Sequence, residues 1–531
     1  MRKTREVGPM TRDISLYSNV TPREDVFDPK FDDQVAPELS DVYKGTAPKI
    51  YTDIEEFFAI TYFTGSMKSL VKDVSDSFRL EKGMTIPLFS FFGGGKTHSL
   101  IMLYHAFKNP DKAKKFGLDV EEGVKVIVIG GKDSTTAPSP AAVLKRDGKE
   151  IKTLWGYIAD QLGKYDLLKT FDHDLMAPPK DKLEEVFKGE KVLILVDEIV
   201  WQLAQLKYSV FGNYYYQALL FFENLASITT NLPVVLVITI PASYQEKDEK
   251  GEKKEVIIAE AGYQGVVEEL AKRVLRAGKV YRAPIESDTD LGNVLKQRLF
   301  KAINAEVIPE VKRRYSKYVE DFKDYVDRES ENNLDSSYPF HPYYLELLKL
   351  LLENAGLQST RDGIRLSRMI VRNLWNAKPK RSLILPSDID LRNEQLKAIL
   401  LRNFTDYDVV VDAIKNATKG IAVYFYLADY IFLSSYMYRL GLDPGQIKAS
   451  LPDSRKVVTS VLDPLYLEDL GLTPADLRVK LADLTGSGQS VEYLVPFLMS
   501  LEDRYWFTSF VDPITICRRG KVNVLDVDAL D

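Results

Sequence analysis

The 531-residue chain has little cysteine and little histidine, and it has no long hydrophobic run. Its single cysteine, Cys517, excludes an internal disulfide and any cysteine-rich zinc site. Because the chain has only four histidines, we do not expect a metal centre built from histidines. No apolar run approaches the roughly 20 residues that a membrane helix needs, and the charged first residues have no signal-peptide core. These absences predict a cytoplasmic protein with no membrane partner.

The charge balance argues against a protein that coats nucleic acid with its whole surface. The chain has 71 Lys and Arg against 77 Asp and Glu, which gives a net charge of −6. An acidic surface repels a phosphate backbone, so any contact with DNA would need a local basic patch.

A glycine-rich segment between a strand pattern and a helix pattern is the strongest motif. Apolar residues 86–89 precede it, and apolar residues at helical spacing follow it. Glycines let backbone N–H groups turn toward a triphosphate, and the helix N-terminus attracts the anion. Lys96 is expected to reach the β- and γ-phosphates, and Thr97 to ligate Mg²⁺. The predicted nucleotide-binding residues are Phe92, Gly93, Gly94, Gly95, Lys96, Thr97 and His98.

Two alternatives stay open at this motif. Ser90 stands where the P-loop pattern has its first glycine, which leaves the effect on affinity undecided. His98 and His105 lie seven residues apart on the following helix, where a structural role competes with nucleotide binding. No guanine-reading Asn-Lys-x-Asp segment follows a strand, so ATP is favoured over GTP.

Two acidic residues follow a second hydrophobic strand. The apolar run 193–196 ends at Asp197 and Glu198, as in a Walker B element. Asp197 is expected to hold Mg²⁺, and Glu198 to deprotonate the attacking water. Thr239, at the end of a third strand, is expected to sense the γ-phosphate. The alternatives are a solvated helix start for the acidic pair and a local turn bond for Thr239.

Four arginines are candidates for contacts to the γ-phosphate. Arg273 and Arg276 precede the expected last strand, where a finger reaching the nucleotide of the same or a neighbouring subunit would neutralise transition-state charge. Arg361 and Arg365 lie four apart, so one helix face presents both, as a lid closing over the nucleotide would require. Solvated or ion-paired arginines are the alternative at all four positions.

The pattern along the chain predicts several folded units. Residues 1–50 are rich in proline and are expected to form an extended arm. Aliphatic runs at 124–129, 191–196 and 232–240, separated by helical stretches, predict an α/β core with a parallel sheet over residues 51–288. A short last strand is expected at 280–283, and a charged hairpin or loop at 246–255. Helical patterns fill 289–385, and helices mixed with short strands fill 386–531.

Longer segments around these motifs resemble one family of ATPases. They are Phe92 to Tyr104 with His105, Phe57-Phe58 with Thr61-Tyr62, Tyr338-Pro339-Phe340-His341-Pro342, and Gln358 to Gly363. In these segments the chain resembles the prokaryotic AAA-type P-loop ATPases called domain of unknown function 499. Residues 270–298 also resemble origin-recognition AAA+ ATPases. The resemblance implies an AAA+-like sheet with strand order 5-1-4-3-2, a helical lid and a C-terminal winged-helix-like domain.

The resemblance also sets the functional expectation. It implies a prokaryotic ATPase that uses ATP and Mg²⁺ to drive a conformational change in DNA modification or phage defence. The partners implied are DNA at the C-terminal domain, a DNA methyltransferase or helicase, and further copies of the chain. Two alternatives remain: a nucleotide-gated scaffold with little turnover, and a DNA-binding module that uses residues 386–531. The pathway, the oligomeric state and the roles of the individual arginines are left open.

Overall fold

The computed structural model divides the chain into two compact units. The sheet unit is residues 33–286, and the helical unit combines residues 1–32 with residues 287–531. The residues that the structure describes are 12–32, 37–90, 95–249, 252–259, 262–275, 288–354, 357, 359–402, 407–418, 421–435, 451–484, 498–501 and 504–507.

The sheet unit alternates helices and strands. Its helices are α2 (Leu39–Lys44), α3 (Lys49–Thr52), α4 (Ile54–Ala59), α5 (Gly65–Arg79), α6 (Lys96–Lys108), α7 (Pro110–Lys115), α8 (Leu154–Gln161), α9 (Tyr165–His173), α10 (Lys180–Phe187), α11 (Ile199–Lys207), α12 (Gly212–Ile228) and α13 (Gln264–Val274). Its strands are β2 (Met84–Ser90), β3 (Lys125–Gly130), β4 (Leu144–Arg146), β5 (Lys149–Ile151), β6 (Val192–Asp197), β7 (Val234–Glu249) and β8 (Glu252–Ala259).

Four parallel strands form the centre of this unit, in the order β2-β7-β6-β3. The predicted α/β class with a parallel sheet is therefore confirmed. If the P-loop strand is counted first, this order is the 1-4-3-2 part of the expected 5-1-4-3-2 pattern. The expected strand at 280–283 lies outside the described residues. The fifth strand of the sheet is instead β8, which pairs antiparallel with the extension of β7 and gives the hairpin expected at 246–255.

Side chains from each strand pack on both faces of the sheet, which explains the continuous aliphatic runs. Ile194 and Val196 of β6 pack on one face with α8, α11, α12 and α13. Leu193 and Leu195 pack on the other face with α5 and α6. Helix α5 begins where the Thr64 hydroxyl accepts from the Met67 N–H, a standard N-cap bond. Four aromatic residues of α12 are buried in the first of these cores: Tyr214, Tyr215, Phe221 and Phe222.

The helical unit is built mainly from helices, as the sequence predicts. They are α14 (Asp288–Leu299), α15 (Ile308–Asp321), α16 (Leu334–Ser337), α17 (Pro342–Asn354), α18 (Ser359–Ala377), α19 (Glu394–Leu400), α20 (Asp408–Ala417), α21 (Ala422–Ser435), and three further helices over Ser454–Thr459, Pro464–Leu470 and Pro474–Leu484. Strands β10 (Leu498–Leu501) and β11 (Arg504–Phe507) pair antiparallel. No helix among the described residues combines the length and the apolar character of a membrane span.

The N-terminal residues differ from the single extended arm expected over 1–50. Residues 12–32 form part of the helical unit, with α1 (Leu16–Asn19) followed by β1 (Val20–Pro22). Strand β1 pairs antiparallel with β9 (Phe300–Ile303). Residues 37–50 belong to the sheet unit and carry α2 and the start of α3. The expected boundary between a lid and a C-terminal domain near residue 386 stays a prediction.

His341, from the Tyr-Pro-Phe-His-Pro segment, is completely buried in the helical unit. Its Nδ1 accepts from the Tyr343 N–H at 3.0 Å, and its Nε2 lies 2.7 Å from the Tyr315 hydroxyl. Because Tyr315 donates its proton to Ser330 at 3.0 Å, Nε2 must donate to Tyr315. The ring is therefore neutral, and burial lowers the pKa of His341 to about 3.

We expect this histidine to make the helical unit less stable in acid. The unfolded chain protonates His341 near its ordinary pKa of 6.5, whereas the folded chain resists protonation until about pH 3. The free energy of unfolding should therefore fall by about 1.4 kcal/mol per pH unit between these values. Urea unfolding of the wild type and of His341→Gln across this range isolates the effect, because glutamine does not titrate. Equal pH slopes for the two proteins would contradict it.

Candidate functional site

Helix α6 starts directly after the glycine segment. Gly95 has a φ of +80°, a left-handed conformation that glycine adopts readily, and Lys96 is the first helical residue. The first helical turn therefore carries Lys96 and Thr97, as the P-loop pattern requires. Phe92, Gly93 and Gly94 lie outside the described residues. The effect of Ser90, the last residue of β2, stays a prediction.

The parallel register brings the polar strand ends to one edge of the sheet. Val196 of β6 pairs with Ile238 of β7, so Asp197 and Thr239 follow side by side. The Thr239 hydroxyl donates to Asp197 Oδ1 at 2.8 Å. The Thr97 side chain is also hydrogen-bonded to Asp197. Residues from three separate predicted motifs thus meet at one buried carboxylate.

Burial raises the pKa of Asp197, whose side chain is almost inaccessible. The neighbouring charge of Glu198 raises the pKa further, and the hydrogen bonds from Thr97 and Thr239 and the charge of Lys96 oppose the rise. A carboxylate whose charged form is disfavoured in this way is stabilised when a cation binds next to it. Asp197 is therefore electrostatically suited to a site for a hard divalent ion.

Glu198 is held in a defined backbone conformation. Its φ is +53°, in the left-handed region that few non-glycine residues adopt. Its N–H donates to the Thr239 hydroxyl at 3.1 Å, so Thr239 is bonded to both members of the acidic pair. Glu198 Oε1 lies 2.8 Å from Lys132 Nζ, and the Glu198 side chain is 26% exposed. A water molecule can therefore reach this carboxylate, whereas Asp197 is enclosed.

Sequence reasoning missed three residues around Glu198. The Gly131 N–H donates to the Asp197 carbonyl at 2.8 Å, and a Cβ on Gly131 would come within 2.4 Å of the Glu198 carbonyl oxygen. Lys132 is the next residue after Gly131, and its side chain forms the ion pair with Glu198. Glu38, just before α2, has its pKa raised by burial and then by the charge of Glu198. The Gly130-Gly131 pair was a usable signal, because it ends the strand expected beside the Asp197 strand.

His98 of α6 contacts the upstream segment that contains Phe57 and Thr61. Its Nε2 lies 2.9 Å from the Thr61 hydroxyl, and its ring centroid is 4.6 Å from that of Phe57. Because Thr61 donates to the Phe57 carbonyl at 2.7 Å, His98 Nε2 is the donor to Thr61. His105 is buried about two turns further along the same face of α6, with Nε2 2.7 Å from the Tyr51 carbonyl oxygen. Residues from two of the segments that carry the resemblance therefore contact each other, and a nucleotide contact by His98 stays a prediction.

Three of the four candidate arginines lie among the described residues, in two different units. Arg273 lies on α13 and forms an ion pair with Glu223 of α12. Arg276 lies outside the described residues. Arg361 and Arg365 lie on α18 of the helical unit, where both are partly buried. Finger and lid roles for these arginines stay predictions.

The donor set at the sheet edge suits Mg²⁺ better than a transition metal. It offers a hydroxyl and one enclosed carboxylate, Thr97 and Asp197, which are hard oxygen ligands. Within the described ranges, no group of three or more His, Cys, Asp or Glu side chains is arranged to hold a metal. Mg²⁺ in nucleotide sites is typically held by one or two protein ligands together with phosphate oxygens and water. The residues present therefore fit this ion.

Comparison with known proteins gives a family match along most of the chain. The model of the DUF499 N-terminal domain matches residues 15–280, and that of the DUF499 second domain matches residues 286–507. No curated protein matches the sequence.

Origin-recognition proteins occur among the similar solved structures. The Aeropyrum pernix ORC2 protein, in ADPNP–ADP complexes, is 15% identical with a TM-score of 0.32, over 79% of this chain and 94% of that chain. Drosophila ORC bound to DNA is 12% identical with a TM-score of 0.34, over 96% and 97% of the two chains.

Proposed function

For a chain that belongs to the DUF499 family, with two family domains covering residues 15–280 and 286–507, we propose a P-loop ATPase activity. In this proposal the chain binds ATP with Mg²⁺ and hydrolyses the γ-phosphate bond. The nucleotide state then drives a conformational change. The site at the carboxyl edge of the parallel sheet is where binding and hydrolysis take place.

The observation that carries the proposal is the hydrogen-bonded set of Thr97, Asp197 and Thr239. These residues are far apart in sequence and come from the P-loop helix and two neighbouring strands. A structural hydroxyl cluster would not require Lys96 beside it or a carboxylate with a disfavoured charge. A Mg²⁺–triphosphate site requires all of these features together.

Each residue has a separate task in the proposed reaction. Lys96 binds and orients the phosphates at the N-terminus of α6. Thr97 and Asp197 are the residues that would hold Mg²⁺, which neutralises charge on the phosphate oxygens when it is bound. Thr239 orients the acidic pair through its two hydrogen bonds, as well as sensing the γ-phosphate.

Glu198 is the base in this scheme. Its partly exposed carboxylate accepts the proton of the attacking water, while the enclosed Asp197 stays with the cation. The different exposure of the two neighbouring carboxylates supports this division of roles. The proposal therefore includes turnover and is not limited to binding.

Lys96→Ala is expected to weaken Mg²⁺-dependent ATP binding by about 100-fold or more, because it removes a charged contact to the phosphates at a partly desolvated site. Titration of each protein with a fluorescent ATP analogue, in Mg²⁺ and then in excess chelator, measures the loss.

Lys108→Ala is the matched control, since Lys108 is an exposed lysine at the other end of the same helix. The control should bind ATP like the wild type. Equal affinities of Lys96→Ala and Lys108→Ala would remove the basis of the proposed function.

A further inference from the structure

A third carboxylate, that of Glu38, lies near the acidic pair of the proposed site. Its charge is repelled by Glu198 and, more weakly, by Asp197. It is attracted by Lys132, but Lys132 forms its ion pair with Glu198, at 2.8 Å. Within the described residues, the charge of Glu38 is therefore left without a direct counter-ion.

The fold places Glu38 at this edge of the sheet, since it directly precedes α2 and α2 packs on the end of β3. Ser40 lies against the backbone of Gly130, where a Cβ would come within 3.0 Å of the Ser40 Cβ. Gly130 in turn pairs in register with Asp197 of β6. The carboxylate of Glu38 is thus two residues away from a backbone contact with the strand that lies beside Asp197.

The rest of α2 is anchored to the same unit. Leu39 and Val42 are buried in the core that α5 and α6 share. Lys44, the last residue of α2, lies 2.7 Å from Asp133 Oδ2. The Glu38 side chain is exposed, and its carboxylate makes no capping bond to the described N–H groups of α2. The helix therefore holds Glu38 in place without using its charge.

A fixed negative charge at this position acts differently on the two forms of a nucleotide. A triphosphate carries the full charge of its phosphates when no metal is bound, and a divalent ion cancels part of that charge. The repulsion between Glu38 and the phosphates is therefore larger for the metal-free form. Because Glu38 is exposed, salt screens this repulsion.

We propose that Glu38 is a specificity-determining residue that makes the site reject nucleotide without Mg²⁺. This inference rests on the proposed ATPase function, and it goes beyond that function by assigning the residue that links nucleotide binding to the metal. Glu38 holds no metal in this role and takes no part in the chemical step.

The test is titration of Glu38→Gln and of the wild type with a fluorescent ATP analogue, in excess chelator and in Mg²⁺. Glu38→Gln should bind the metal-free analogue about three- to tenfold more tightly than the wild type at about 0.1 M salt. Its affinity for the Mg²⁺ form should change by less than about twofold. Weaker binding of the Mg²⁺ form would show instead that Glu38 helps to hold the ion, and would overturn the inference.

The salt dependence of the gain checks its physical cause. The screening length falls from about 10 Å at 0.1 M salt to about 3 Å at 1 M. The advantage of Glu38→Gln in chelator should therefore disappear at about 1 M salt. An advantage that persists there is not electrostatic and contradicts the inference.

Two further variants keep the test specific. Glu38→Asp retains the charge, so it should discriminate between the two forms as the wild type does. Glu122→Gln removes a carboxylate that pairs with Lys114 at 2.9 Å, just before the other end of β3, and it should change neither affinity. If Glu122→Gln improves metal-free binding as much as Glu38→Gln does, the effect comes from the net charge and the inference fails.

Failure of this inference is distinguishable from failure of the proposed function. If the wild type binds the Mg²⁺ form and Glu38→Gln binds the metal-free form no more tightly than the wild type, the role of Glu38 is disproved and the ATPase assignment stands. If neither protein binds the Mg²⁺ form, the proposed function falls and the role of Glu38 falls with it.

Discussion

Glu198→Gln is expected to bind Mg²⁺–ATP as well as the wild type does and to lose about 100-fold or more of its turnover. Glutamine has nearly the shape of glutamate. The backbone N–H of residue 198 can still donate to the Thr239 hydroxyl. It cannot accept a proton from water, so the chemical step loses its base while binding by Lys96, Thr97 and Asp197 continues. ATP should therefore remain bound and unhydrolysed in the variant.

Single-turnover measurement of phosphate release, made together with the recovery of bound ATP, separates binding from chemistry. Glu190→Gln is the matched control, because it removes a carboxylate that pairs with Lys125 just before β6. The control should turn over at the wild-type rate. Full activity in Glu198→Gln would disprove the assignment of Glu198 as base.

Arg368→Met is expected to lower the free energy of unfolding of the helical unit by about 3–5 kcal/mol. Arg368 is completely buried, with Nη1 2.6 Å from Asp25 Oδ2 and Nε 3.0 Å from Asp32 Oδ1. Arg298 also pairs with Asp25, at 3.0 Å, and Arg372 pairs with Asp32. Removal of Arg368 leaves the buried Asp32 and the partly buried Asp25 with one cation fewer, and a desolvated charge that loses its partner is costly.

Hydrogen exchange of peptides that cover α18 and residues 12–32 measures this loss directly. Exchange there should become about 150- to 5,000-fold faster, while peptides of the central sheet of the other unit keep their protection. Arg313→Met is the control, since Arg313 forms an exposed pair with Glu310 at 2.7 Å on α15. An ion pair exposed to solvent in this way contributes little to stability. Equal exchange in the two variants would show that the buried cluster does not hold the N-terminal residues.

The elements that could be predicted are those whose signal is local. The run ending at Asp197 is aliphatic because both faces of β6 are covered, and this pattern is readable without knowing the neighbours. The start of α6 at Lys96 was predictable because a glycine segment lies between a strand pattern and a helix pattern. The meeting of Asp197 and Thr239 followed from the parallel strand order.

The rest depends on contacts between distant segments. Lys132 reaches Glu198 across 66 residues, and apart from the Gly130-Gly131 pair before it, nothing nearby in the sequence distinguishes it from a solvated lysine. Arg273 lies opposite Glu223 only because α12 and α13 pack together. Residues 12–32 have weak periodicity, and their place in the helical unit depends on β9 and on Arg368. Such pairings leave no periodic trace in a single sequence.

The helical unit is built from residues 1–32 and 287–531, and this has a consequence for synthesis. Asp25 and its partner Arg368 are separated by 343 residues, and the whole sheet unit is encoded between them. At translation rates of about 5–20 residues per second, Asp25 waits roughly 20–70 s for this partner to emerge. All residues of the sheet unit are synthesised within that interval. The helical unit can therefore be completed only after the whole sheet unit has been made.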